Sequence, residues 1–322
     1  MARGHARERT ALILTVLNEA GTIDRLLESV AAQRSAPDEI VIVDGGSTDR
    51  TREALRLWEA RLPLRAVEEP GATIAAGRNL AIRASTAELI AVTDGGVRLD
   101  PDWLAQLQTR LTPQIDVVSG FFRPDACSTF EWALGATSLP TVEDIDPPSF
   151  LPSSRSVLFR RSAWQQVGGY PEWLDYCEDI VFDLALRRAG CRFAFAPLAI
   201  AWFRPRQSLQ AFFRQYYLYA RGDGKAELWS GRHAIRYFTY IAAAIVLIRR
   251  GRLVWLMPLG ILLYTRRPIQ RLRLERRPRS EWLFAVSLVA VIRLVGDLAK
   301  MLGYPVGIRW RIGRAWTSRS SS

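Results

Sequence analysis

The sequence predicts an α/β fold: a mostly parallel sheet with helices on both faces, followed by apolar carboxy-terminal helices. Three observations carry this. Short β-branched apolar runs alternate with stretches of helical periodicity through the first half. Several of those runs stop abruptly at acid- or glycine-bearing turns. The composition then shifts near Arg232 to three apolar stretches separated by arginines.

Ala11–Leu17 reads as a buried strand, and Ile23, Leu26, Leu27, Val30 and Ala31 then repeat at helical spacing. Glu39–Val43 is a second buried strand, closed by Asp44-Gly45-Gly46-Ser47, and Ala54, Leu55, Leu57 and Trp58 mark the next helix. A short strand at Leu64–Val67 leads through a Pro70-Gly71 turn to a helix around Ile74–Arg83. Glu88–Thr93 is the next strand, ending in Asp94-Gly95-Gly96. From Ser119 to Ser154 the chain is rich in Pro, Ser, Thr and Asp and reads as irregular loops with short elements, suited to a binding surface. Ser156–Phe159 returns as a strand, Ala163–Val167 as a helix, and Gly168-Gly169-Tyr170-Pro171 as a turn. Glu178–Arg188 follows as a helix with Val181, Leu184 and Ala185 expected inward.

Beyond the shift lie Ile235–Ile248, Leu253–Thr265 and Trp282–Val295, interleaved with Arg249-Arg250-Gly251-Arg252 and the basic run Arg266–Arg279. The expected division is therefore 1–230, an α/β domain, and 231–322, a membrane-associated helical region. Each apolar stretch is shorter than the roughly 20 residues a spanning helix needs. Spanning, re-entrant and interfacial placements stay open, as does a soluble helical subdomain.

The 322 residues are 49% hydrophobic and 24% charged, which supports a sizeable core and excludes global disorder. The net charge of +12 calls for an anionic partner. Because much of that charge sits beside apolar helices, a membrane surface is expected and nucleic acid is not. Cys127, Cys177 and Cys191 have no metal-ligand spacing, and their odd number argues against a disulfide framework. The basic start is not followed by a signal-type apolar run, so no secretory signal is expected. Together these features are expected to place the protein at the cell membrane with its amino-terminal domain on the cytoplasmic side.

In open α/β sheets, ligands bind beyond the carboxyl ends of the strands. Asn18-Glu19, Asp44 and Asp94 each follow an apolar strand and can converge there. Helix capping is the alternative use of any one of them, and Ser47 or Asp49 is equally placed to cap. The turn after the second strand lacks both dinucleotide-binding and P-loop glycine patterns.

The ordered set Thr15-Val16-Leu17-Asn18-Glu19, Ile42-Val43-Asp44-Gly45-Gly46-Ser47-Thr48-Asp49, Gly77-Arg78-Asn79 and Thr93-Asp94 resembles family-2 glycosyltransferases of the GT-A fold. Gly168-Gly169-Tyr170-Pro171 with Glu178-Asp179, a helix ending Arg187-Arg188-Ala189-Gly190, and Arg214-Gln215-Tyr216-Tyr217 with Arg221-Gly222 extend the likeness over roughly residues 10 to 225. The resemblance implies that Asn18, Glu19, Asp44 and Ser47 line the nucleotide site, with Asp44 on the base. It implies Arg78 near the pyrophosphate and Asp94 as the first acid of a metal-binding D-x-D holding Mg2+ or Mn2+. Asp179 is the implied catalytic base, with Glu178 positioning the acceptor. The amino-terminal acids of a helix also favour its dipole without any catalysis.

Two departures stand out. Gly96 occupies the second acid's position, and Asp100 is a poor substitute because Asp100-Pro101 reads as a helix cap and first helical residue. A histidine often found after the family's last strand is replaced within Trp202-Phe203-Arg204-Pro205-Arg206, where Arg204 and Arg206 are candidates to hold phosphate. Arg214 and Gln215 are further substrate-binding candidates, although the order there differs from the motif of processive synthases. The implied function is inverting transfer of a hexosyl-type sugar from a nucleotide-diphosphate sugar to a lipid-linked or envelope-glycan hydroxyl. The alternative is a catalytically impaired, membrane-tethered relative that only binds the nucleotide sugar.

Overall fold

The computed structural model describes residues 7–249 and 252–319. The chain forms two compact units, Met1–Arg123 with Val142–Phe203, and Pro124–Thr141 with Arg204–Ser322.

The first unit runs β1 (Thr10–Val16), α1 (Ile23–Ala31), β2 (Glu39–Asp44), α2 (Thr51–Glu59), β3 (Leu64–Glu68), α3 (Ile74–Ala84), β4 (Leu89–Val92), β5 (Val97–Leu99), α4 (Trp103–Arg110) and β6 (Val117–Pro124). After α5 (Thr129–Ser138), which belongs to the second unit, come β7 (Val157–Arg160), α6 (Arg161–Gln166), α7 (Glu178–Arg188) and β8 (Phe193–Phe203). One sheet has the order β3-β2-β1-β4-β7-β6-β8-β5. The pairs β2–β3, β1–β2 and β1–β4 are parallel, with α1, α2 and α3 supplying the crossovers that parallel neighbours need. The far half joins antiparallel through β4–β7, β6–β7 and β5–β8, so the sheet is mixed.

Burial on both faces explains why the central strands read as continuous apolar runs. Along β1, Leu12, Leu14 and Val16 enter one core with Leu26, Leu27 and Trp58, while Ala11 and Ile13 enter the opposite core with Ala81, Ile82 and Phe182. On α7, the buried apolar side chains are Phe182 and Leu186; Val181, Leu184 and Ala185, expected inward, are only half-buried. The Phe182 ring stacks 4.1 Å from Tyr170 and meets Phe159 edge-on at 5.4 Å, which sets the helix's rotation. Helix α4 begins at Trp103 instead of the expected Pro101, and the Asp100 carboxylate accepts the Asp102 amide at 3.3 Å in the preceding turn.

The second unit comprises α5, α8 (Leu209–Lys225), α9 (Ser230–Arg249), α10 (Met257–Leu272) and α11 (Arg279–Arg319). Within the stretch expected to hold irregular loops with short elements, α5 is a ten-residue helix. The Glu131 amide donates to Ser128 Oγ at 3.2 Å, and the Glu131 carboxylate accepts the Cys127 amide at 2.6 Å, close to a capping box. Its Trp132, Ala133 and Leu134 share a core with Phe212, Leu272, Ala285, Val289 and Ile292, so the unit draws in residues well upstream of Arg232. Helices α8 and α11 cross at glycines: a Cβ on Gly303 would stand 2.1 Å from Tyr217 O, and one on Gly307 2.1 Å from Arg221 O. The apolar stretch Trp282–Val295 is part of the 41-residue α11. Among the described residues, Arg279–Arg314 is the one helix long and apolar enough to cross a membrane.

Candidate functional site

Asp44 closes β2 and is 1% exposed. Its Oδ1 accepts the amides of Gly46 at 2.8 Å and Ser47 at 2.6 Å. Its Oδ2 is buried and has no hydrogen-bond partner among the described residues. A buried carboxylate oxygen without a donor is costly, so this atom is poised to receive one. Asp44 also lines a small recess with Arg52, Arg56, Glu59 and Glu68.

The loops after β1 and β2 are laced together. The Asn18 amide donates to Ser47 Oγ at 2.9 Å, and Asn18 Oδ1 accepts the Thr48 amide at 2.8 Å. Asn18 holds a left-handed φ of 56°, a conformation asparagine tolerates better than most residues. The Glu19 amide donates to Thr51 Oγ1 at 2.8 Å. Ser47, fully buried, thus ties two loops, and the first turn of α2 is served by Asp49 Oδ1, which accepts the Thr51 amide at 3.0 Å.

Arg78 joins three segments. Its Nη1 donates to Glu178 Oε1 at 2.8 Å at the start of α7, and its Nη2 to Asp94 Oδ1 at 2.7 Å past the end of β4. Burial alone lowers the Arg78 guanidinium, and the two carboxylates more than reverse it, so it stays charged. Glu178 is 7% exposed. Burial, then the neighbouring Asp179, pushes its carboxyl up to about 7 against the pull of Arg78. Asp179 is half-buried. Asp183, one turn on and absent from the sequence-derived site, is 4% exposed. Burial and then Asp179 raise its carboxyl well above the ordinary range.

The Gly-Gly-Tyr-Pro turn belongs to the same frame. Asn79 Oδ1 accepts the Tyr170 amide at 2.9 Å and Trp164 Nε1 at 3.0 Å, while Asn79 Nδ2 donates to Tyr170 O at 2.8 Å. Gly169 has φ 85°, and a Cβ there would lie 2.7 Å from Asn79 Oδ1. Only glycine fits that approach.

Sequence reading also passed over Arg155, on the segment leading into β7. Its Nε lies 3.7 Å from Asp94 Oδ2, and its guanidinium carbon sits 4.6 Å over the Phe203 ring. Asp94 therefore has one oxygen on Arg78 and the other facing Arg155. At Gly96 a Cβ would meet nothing within 4 Å. Among the described residues, no group of three His, Cys, Asp or Glu side chains is placed to hold a metal ion. A Mg2+ or Mn2+ ion at Asp94 would therefore draw its remaining ligands from the donor's diphosphate and from water.

Arg204, Arg206, Arg214 and Gln215 fall in the second unit. Arg204 Nε pairs with the buried Glu131 Oε1 at 2.9 Å. Gln215 Nε2 donates to Tyr219 Oη at 2.8 Å, and Arg206 and Arg214 are exposed.

A parallel half-sheet with acids gathered past its strand ends is the place where open α/β folds bind their ligands. The model of glycosyl transferase family 2 matches residues 11–166, and that of glycosyl transferase family group 2 matches residues 102–296. The chain belongs to the family-2 glycosyltransferases. It is 28% identical over 230 residues to the succinoglycan biosynthesis protein ExoA of Rhizobium meliloti (strain 1021), covering 66% of this chain and 68% of that one. Validoxylamine A glucosyltransferase of Streptomyces hygroscopicus subsp. limoneus is 36% identical over 98 residues; the match spans 29% of this chain and only 22% of the relative. In fold, the chain resembles the mannosyltransferase PcManGT of Pyrobaculum calidifontis, solved with GDP-Man and Mn2+, with TM-score 0.57 and 20% identity over 95% of this chain and 87% of that one.

Proposed function

We propose that the protein is an inverting glycosyltransferase that moves a hexosyl-type sugar from a nucleotide-diphosphate sugar to a hydroxyl of a lipid-linked or cell-envelope glycan. The observation that supports this reading is the Arg78 bridge between Asp94, past the end of β4, and Glu178, the chain neighbour of Asp179. Asp44 Oδ2 accepts a donor from the nucleotide, with Asn18, Glu19 and Ser47 holding its loop. Asp179 takes the acceptor's hydroxyl proton as the acceptor oxygen forms its bond to the anomeric carbon. The anomeric carbon's bond to the diphosphate oxygen breaks on the opposite side, and its electron pair leaves with the nucleoside diphosphate. Glu178, held by Arg78, orients the acceptor beside the base. Attack from the face opposite the leaving group inverts the anomeric centre. No step is routed through a metal ion.

Envelope work fits the relative named for succinoglycan biosynthesis. Membrane placement is supported by α11 and by apolar side chains left exposed on the second unit, among them Phe238, Ile245, Trp255, Leu262 and Phe284, next to the arginine-rich 266–279 run. We place the catalytic unit on the cytoplasmic side, where nucleotide sugars are made. The test is donor turnover by detergent-solubilised protein across uridine-, guanosine- and thymidine-diphosphate sugars. Release of nucleotide from one donor, lost in Asp94→Ala, supports the transferase. Donor binding without turnover, in any lipid extract offered as acceptor, moves the protein to a membrane-tethered nucleotide-sugar binder, which Gly96 in place of an acid would favour.

A further inference from the structure

We infer that Arg155 is the cation that faces the donor's diphosphate, so that nucleotide binding by this chain does not depend on a divalent metal. The inference rests on the transferase reading and adds a residue and a charge mechanism to it. A diphosphate leaving group gains negative charge as its bond to the sugar breaks, and some positive group must meet that charge. Arg78 is poorly placed to do so: it is 4% exposed, and both terminal nitrogens are engaged by Glu178 and Asp94.

Arg155 answers the requirement. Its side chain keeps 23% of its surface exposed, beside a carboxylate that is 36% exposed. The guanidinium packs over Phe203 at 4.6 Å and near Phe122 at 5.8 Å, and Nη1 donates to Ser153 Oγ at 3.2 Å. An aromatic platform and a serine hold a flat, permanently charged fork in one orientation, the form of cation suited to phosphate oxygens. The two departures from the family pattern meet here. Val97, directly after Gly96, pairs with Phe203 across the β5–β8 ladder, so the missing acid and the aromatic at the end of the last strand are neighbours. The same small region that lacks a second carboxylate and a histidine therefore holds an arginine on a ring.

The test is calorimetric binding of uridine, guanosine and thymidine diphosphate to the full-length protein in detergent, with chelator and then with Mn2+. The expected result is binding of one of them that changes less than about threefold between the two conditions. Arg155→Met weakens it about tenfold or more in chelator, and Arg155→Lys recovers part of that loss by keeping the charge. Thermal melting of each variant checks that it is folded, and the wild-type comparison stands if Arg155→Met is not. Wild-type binding that vanishes in chelator and returns with Mn2+ overturns the inference while leaving the transferase intact. Metal-independent binding that Arg155→Met does not weaken removes Arg155 from the role. Absence of binding in both conditions overturns the inference together with the donor-binding reading beneath it.

Discussion

Replacing Arg78 with methionine keeps most of its volume and removes the charge between Glu178 and Asp94. Glu178 is 7% exposed and already shares its surroundings with Asp179, so the variant leaves an uncompensated buried carboxylate. Breaking a buried ion pair in this way costs about 3–5 kcal/mol. Protonation offers an escape. A carboxyl raised in the folded protein supplies stability at low pH that is lost as pH rises through its folded pKa. In the native protein that window runs from the ordinary carboxyl value to about 7. Without Arg78, which lowers the Glu178 carboxyl, the window extends upward. The penalty is therefore small near pH 5.5, about 1–2 kcal/mol from the half-exposed Asp94 and lost packing, and reaches its full size near pH 8.5. At roughly 2–4 °C per kcal/mol, the melting temperature falls by about 6–20 °C at the higher pH and by a few degrees at the lower. Thermal unfolding of the full-length protein in detergent, followed by tryptophan fluorescence at both values, reads this directly. A shift equal at the two pH values, or one under about 1 kcal/mol at pH 8.5, would refute the coupling.

Asp44→Asn keeps an oxygen for the Gly46 and Ser47 amides and turns the orphaned Oδ2 into a donor. Nucleoside-diphosphate affinity should fall about 10–100-fold by calorimetry while the melting temperature moves little, and unchanged affinity contradicts the assignment. Gly77→Ala places a Cβ 2.5 Å from Thr15 Cγ2 and Oγ1 and should destabilise the first unit by about 1–3 kcal/mol in a chemical melt. Gly96→Ala, whose Cβ meets nothing, is the control and should fold like the parent.

The parallel half of the sheet was legible because β1, β2 and β4 are buried on both faces, and double burial writes an unbroken apolar run. The acids at their ends were legible for the same reason: Asp44 and Asp94 interrupt those runs. Other parts were not. Helix α5 hid in a polar stretch because Trp132 and Leu134 lie among Ser, Thr and Pro, although Ser128-x-x-Glu131 was a capping signal in plain view. The α7 rotation was misjudged because Glu178 and Asp183 are buried by a charge partner and by burial-raised protonation, which apolar periodicity does not register. Arg155 carried no signal at all. Its position depends on Phe203 and Asp94, 48 and 61 residues away in sequence, and only the sheet order brings those segments together.

The central claim is inverting transfer with Asp179 as base. Asp179→Asn, assayed with the donor identified by turnover and with the sugar product's anomeric configuration read by NMR, tests it most directly. The account predicts a product of inverted configuration from the parent protein and turnover about 10²–10⁴-fold lower in the variant, with nucleotide binding intact. A product that retains the donor's configuration, or an Asp179→Asn protein that turns over at the parent's rate, would contradict it.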